Sequence, residues 1–138
     1  MSAQLLVDTG PLVALLRPAD SEHSRCVEYT KQTSAQLVTC WPVVTEAAWL
    51  LRQNPRHLLE LLRYVAEEEL VLFPFPKEAA RWISDFVVRF GDQNPQLADA
   101  ALMYIAEHLE IETIFTLDRR DFSVLKTAKN RTLTIVPE

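Results

Sequence analysis

Gln4-Leu5-Leu6-Val7-Asp8-Thr9-Gly10-Pro11-Leu12 is the stretch whose reading decides the fold. Its first residues form an apolar run of the kind expected of a strand covered on both faces. Thr9-Gly10-Pro11 then reads as a turn with proline at the first position of a helix, where the missing N–H would have had no partner anyway. A buried strand running directly into a helix is the opening half of a β-α-β unit.

The same grammar recurs along the chain. The predicted helix beginning at Leu12 is followed by a second, opened by Asp20-Ser21-Glu22 and running to about Gln32. Gln36 to Cys40 reads as a short strand, and Pro42 starts a helix with Val43, Val44, Ala47, Ala48, Leu50 and Leu51 at helical spacing. Asn54-Pro55 starts another helix, Leu70 to Phe73 is a third strand, and Lys77 to Phe90 is helical until Gly91 ends it. Asn94-Pro95 is expected to start a long helix reaching Leu109, with Thr113 to Leu117 and Thr132 to Val136 as the last two strands. Alternating strands and helices imply parallel pairing through right-handed crossovers, hence an α/β, three-layer α/β/α sandwich in one domain.

Composition narrows the chemistry. A chain of 138 residues, 49% hydrophobic and 24% charged, is long enough to bury a core without disulfide or metal staples. No apolar run reaches the length of a membrane span, and the N-terminus lacks the pattern of a signal peptide, so a cytosolic, non-membrane protein is expected. Two cysteines, Cys26 and Cys40, supply neither a disulfide framework nor a zinc ligand set. Only 2 glycines occur, which excludes a dinucleotide loop or a P-loop. His23, His57 and His108 stand far apart with no nucleophile motif, so acyl-transfer chemistry has no support and these residues read as surface or packing groups. A net charge of −5 argues against non-specific wrapping of nucleic acid, but a site neutralised by bound cations would escape that count. Arg119, Arg120, Lys126 and Lys129 make the C-terminal segment locally basic, where a phosphate backbone could be held.

In an open parallel sheet the functional crevice lies beyond the carboxyl ends of the strands, and Asp8 and Asp118 both end strands. Either could instead cap the helix that follows. Glu46 falls at the border of its helix's apolar stripe, where a solvated charge is also possible. Asp99 is the most demanding, because Leu97, Ala98, Ala100, Ala101, Leu102 and Met103 surround it. With Asn94 as the cap it would lie beyond the first helical turn, where dipole stabilisation has faded, and so it needs a cation or a basic partner. Carboxylates brought together repel unless a cation holds them ionised, and an oxygen-only set suits Mg²⁺ or Mn²⁺.

The segments Leu6-Val7-Asp8-Thr9-Gly10-Pro11-Leu12, Val44-Thr45-Glu46-Ala47, Leu97-Ala98-Asp99-Ala100-Ala101 and Phe115-Thr116-Leu117-Asp118-Arg119-Arg120-Asp121-Phe122 resemble, in order, those of the PIN-domain ribonucleases. Within that family the chain is similar to the VapC-like toxins of toxin–antitoxin pairs. The resemblance implies a five-stranded parallel sheet with strands one and four adjacent, and Asp8, Glu46, Asp99 and Asp118 as metal-binding catalytic acids. It further implies Thr9 and Thr116 as supporting hydroxyls, an RNA substrate, a cognate antitoxin protein and a homodimer. Asp92 and Asp121 resemble acids that vary among members, with Asp121 the supporting one. A stand-alone PIN nuclease in RNA processing and a non-catalytic PIN-fold scaffold are the alternatives.

Overall fold

In the computed structural model, which describes residues 3–138, five strands form one sheet in the order β3-β2-β1-β4-β5. They are β1 (Gln4–Val7), β2 (Gln36–Thr39), β3 (Val71–Leu72), β4 (Thr113–Phe115) and β5 (Thr134–Val136). Every neighbouring pair is parallel. The connecting helices are α1 (Thr9–Leu16), α2 (His23–Gln32), α3 (Trp41–Leu50), α4 (Pro55–Ala66), α5 (Ala79–Arg89), α6 (Leu97–Leu109) and the short α7 (Arg119–Phe122).

Parallel strands require long returns, and the returns here are the helices. From β1 the chain winds outward through β2 to β3, then crosses back over the sheet to lay β4 on the other side of β1. Right-handed crossovers in opposite directions place helices on both faces, which is the three-layer sandwich expected from the sequence. The winding reverses between β1 and β4, so the crevice of this fold must open at their carboxyl ends.

The core explains why these segments form these elements. Leu6, Val7, Val38, Ile114 and Phe115 of the central strands are fully buried. Helix α6 meets them with Ala100, Ala101, Leu102, Met103 and Ile105, small and large residues that let it pack closely on the sheet. Asn54 caps α4 by accepting the Arg56 N–H at 3.1 Å, as the Asn-Pro signal required. Cys26 and Cys40 are free, buried packing residues, and burial pushes their thiols up to about 11 and about 12. Among the described residues no helix is long and apolar enough to cross a membrane.

Two expectations change. Gly91–Gln93 is a turn of 3₁₀ helix and Asn94 takes a left-handed conformation, φ 50°, so α6 begins at Leu97 with Gln96 as its cap rather than Asn94. Asparagine tolerates that conformation because its short polar side chain bonds locally, and once it is used the helix cannot start there. Asp99 therefore occupies the third helical position, inside the first turn and not beyond it. The second difference is the start of α1, which begins at Thr9 with Asp8 at its cap position, so Thr9, Gly10 and Pro11 form the first turn of the helix and not a turn ahead of it.

Candidate functional site

Asp8, Thr9, Gly10, Glu46, Gln96, Asp99, Asp118, Arg119, Arg120 and Asp121 line one open cleft of about 500 Å³ at the carboxyl edge of the sheet. All four acids singled out in the sequence are present in it. Each arrives by a different route. The β1–β4 ladder continues one residue past β1, with the Asp8 N–H donating to Phe115 O at 2.9 Å, so Asp8 is fixed by the sheet itself. Glu46 comes from α3 and Asp99 from the first turn of α6. Asp118 caps α7 by accepting the Asp121 N–H at 3.0 Å.

Hydroxyls and backbone amides hold these carboxylates. Thr116, fully buried, donates to Asp8 Oδ2 at 2.8 Å and accepts the Asp118 N–H at 2.9 Å, tying the ends of β1 and β4 together. Thr9 donates to Glu46 Oε1. The Gln96 N–H donates to Asp99 Oδ2 at 3.1 Å. Asp99 thus satisfies the start of its own helix with one oxygen and keeps the other free. Gln96 is a site-lining residue that sequence reasoning missed; the Gln96-x-x-Asp99 spacing, a variant of the capping box, was the available signal.

The electrostatics are those of acids forced together. Burial raises the Asp8 carboxyl despite hydrogen bonds from the Thr9 backbone and Thr116 side chain, and the charges of Glu46 and Asp118 raise it further. Burial likewise lifts Asp99 to about 6, with Asp8, Asp118 and Glu46 all adding to the effect. Asp121 is raised to about 6 by burial, then by its bond to Asp118 and the charges of Asp118 and Asp99. Asp8, Asp99 and Asp121 are each raised in part by neighbouring acids of the same cleft.

Among the described residues no three acidic, histidine or cysteine side chains already converge as a coordination cluster. Each of the four carboxylates instead accepts a hydrogen bond from a protein donor. The donor set nonetheless fits a hard divalent cation: it is carboxylate oxygen throughout, it has no thiolate or imidazole, and it includes one free oxygen on a strongly perturbed Asp99. His23, His57 and His108 are absent from the cleft. The Nδ1 atoms of His23 and His108 face the backbone carbonyls of Ala14 and Tyr104, at 2.7 Å and 2.9 Å.

The basic segment is divided. Arg119 and Arg120 line the acid cleft, while Lys129 lines a separate cavity of about 490 Å³ with Glu107, Glu110 and Glu112. Lys126 is not among the residues of the acid cleft. Because β5 is parallel to β4, the chain after α7 must travel back to the amino edge of the sheet before β5 can begin. That return takes Lys129 to the separate cavity, so of the four basic residues singled out in the sequence Arg119 and Arg120 are the ones that share the cleft with Asp118. Asp92 is exposed in the 3₁₀ turn and is likewise not among the residues of the cleft.

No protein-family model matches the chain. It is similar to Ribonuclease VapC26 of Mycobacterium tuberculosis, with 29% identity over 135 residues, 96% of this chain and all of that protein. Its fold matches the crystal structure of VapC20 of the same organism, a sarcin–ricin loop cleaving toxin. The TM-score is 0.80 with 15% identity, covering 88% of this chain and 95% of that one. A second crystal structure, PAE2754 from Pyrobaculum aerophilum, aligns with a TM-score of 0.58 and 18% identity over 99% of this chain and 92% of that one.

Proposed function

We propose that the chain is a VapC-like protein of the PIN fold and acts as a metal-dependent endoribonuclease, the toxin of a toxin–antitoxin pair. The observation that carries the reading is the single cleft at the β1–β4 switch point holding Asp8, Glu46, Asp99 and Asp118 together. The similarity to a protein named as a ribonuclease, spanning that protein's whole length, supports the substrate class.

Asp8, Asp99 and Asp118 would hold the cation, Mg²⁺ or Mn²⁺, with Glu46 binding directly or through water. Bound there, the cation supplies a water of lowered pKa and neutralises charge on the phosphodiester as it is attacked. The chain's own residues do the rest. Thr116 and the Gln96 N–H orient Asp8 and Asp99, and Thr9 orients Glu46, around the cleft that the cation would occupy. Arg119 and Arg120, on the rim of the same cleft, would face the backbone of a bound strand. No protein nucleophile is needed.

A cognate antitoxin protein and a second copy of the chain are the partners this reading implies. Exposed Trp49, Leu50, Leu59 and Leu62 on α3 and α4 support a protein partner, and Leu50 also lines the cleft, so a partner seated on them would reach the acids. Single-stranded RNA cleavage by the purified, partner-free protein with Mg²⁺ or Mn²⁺ tests the activity. Cleavage that survives excess chelator, or survives Asp8→Asn, would sink the metal mechanism. A neighbouring reading frame whose product co-purifies with the chain and inhibits cleavage would support the toxin role over a stand-alone nuclease.

A further inference from the structure

Of the two cations that line the cleft, Arg119 and Arg120, Arg119 alone is held by a side-chain hydrogen bond among the described residues. Its Nη1 donates to the backbone carbonyl of Pro137 at 3.0 Å. Arg25, on α2 and 94 positions earlier in the chain, donates through Nη2 to that same carbonyl at 3.3 Å and to the Glu138 backbone oxygen at 2.8 Å. Arg25 is itself steadied by Glu22, one turn earlier, at 3.3 Å. The sheet explains why Pro137 is there. Thr116 N–H donates to Val136 O at 3.1 Å, so the residue after β5 emerges at the carboxyl edge, next to the start of α7.

The acceptor that fixes Arg119 is neutral. Among the described residues Arg119 forms no ion pair, although Asp118 and Asp121 are close in sequence and line the same cleft. A carboxylate partner would have cancelled its charge; a carbonyl orients the guanidinium and leaves both the charge and most of its five donors available. Arg120 lines the cleft without a side-chain bond of this kind.

We propose that Arg25 and the Pro137 carbonyl are positioning groups that hold Arg119 at the rim of the cleft as a pre-set contact to a phosphate of the nucleic-acid strand. The proposal rests on the nuclease reading and extends it to α2 and the segment after β5, neither of which supplies an acid. Its physical content is pre-organisation: a long side chain immobilised before binding does not lose that freedom on binding.

The test is a double-mutant cycle with Arg25→Met, Arg119→Ala and the double variant. It is read as the affinity for a mixed-sequence, cleavage-resistant 2′-O-methyl RNA strand in Mg²⁺. Arg25→Met should weaken binding about three- to tenfold, the usual consequence of freeing one rotamer-rich side chain, and Arg119→Ala should weaken it more. The double variant should be no weaker than Arg119→Ala alone. In parallel, NMR relaxation of the Arg119 Nε–H should report an ordered side chain in the wild type and a mobile one in Arg25→Met. Additive losses would mean that Arg25 acts merely as one more positive charge and would overturn the proposal, as would an Arg119 equally mobile in both proteins. Failure of the wild type to cleave unmodified RNA would count against the nuclease reading and leave the clamp to be judged on the binding cycle. A wild type that binds no RNA would overturn both.

Discussion

The Thr116 hydroxyl donates to Asp8 Oδ2 at 2.8 Å across 108 positions of sequence, and Thr116 Oγ1 in turn accepts the N–H of Asp118 at 2.9 Å. One buried hydroxyl therefore sets the orientation of the acid after β1 and the path of the chain into the acid after β4. It also offsets, in part, the rise that burial imposes on the Asp8 carboxyl.

Replacing Thr116 with valine keeps the shape and removes both bonds. The Asp118 N–H then loses its acceptor, which costs about 1–3 kcal/mol for a buried donor, and Asp8 is left with a higher pKa and a free rotamer. Chemical denaturation should show the loss of stability, and RNA cleavage should fall by about tenfold or more, as expected when a catalytic group is released from its geometry. A valine variant with wild-type cleavage would mean that Asp8 needs no such support.

The second prediction concerns pH. An acid whose pKa rises from 3.8 in the unfolded chain to about 6 in the folded one binds its proton more tightly when folded. Asp99 thus contributes stability that is complete below its unfolded pKa and is lost as pH climbs through about 6. In excess chelator, the Tm of the wild type relative to Asp99→Asn should fall as pH rises from 3.8 to about 6 and level off above that. A difference between the two proteins that stays flat across this window would contradict the raised pKa.

Cation binding should reverse that comparison at neutral pH. A ligand that binds only the folded state stabilises by about 2.7 kcal/mol at one hundred times its Kd, so Mg²⁺ or Mn²⁺ should raise the wild-type Tm at pH 7. Asp99→Asn should remain folded and gain little, with cleavage abolished. If Asp99→Asn fails to fold, the carboxylate is serving a structural pairing instead of a cation.

Gly10 yields a prediction against intuition. It lies in the first turn of α1, and no glycine of the described residues takes a positive φ. A Cβ there would meet Leu117 side-chain atoms at 3.4 to 3.5 Å, which is ordinary contact. Gly10→Ala should therefore fold normally, and be as stable as the wild type or more so by about 0.5–1 kcal/mol. Because Gly10 lines the cleft, any effect should appear as a raised KM for RNA. A large fall in Tm would show that the turn requires glycine after all.

The division of the basic segment is also measurable. Arg119→Ala with Arg120→Ala should weaken RNA binding for all sequences and flatten its salt dependence, because phosphate contacts release counterions. Lys126→Ala with Lys129→Ala should leave the salt slope unchanged. Equal flattening by both pairs would place the returning segment on the RNA.

Much of this molecule is local, and local features are legible in a sequence. The apolar run Leu5-Leu6-Val7 and the turn after it determined a buried parallel strand feeding a helix, and repetition of that pattern determined the α/β sandwich. The acids were legible in part, since Asp8 and Asp118 follow strands at the edge where such a sheet opens, whereas Asp99 proves half-buried in the first turn of α6, where it accepts the Gln96 N–H, and so is less costly than its apolar sequence neighbours implied. What the sequence could not decide depends on where the chain returns. The start of α6 turned on whether Asn94 would cap a helix or take a left-handed turn, two uses of the same short polar side chain. Lys129 and Arg119 are ten residues apart, but a parallel β5 sends one to the amino edge and leaves the other beside the acids. Arg25 and Pro137 meet at Arg119 only because strand order places the end of β5 beside β4. Propensity and pattern act over a few residues, whereas these juxtapositions are set by sheet order and strand direction, which only the folded chain fixes.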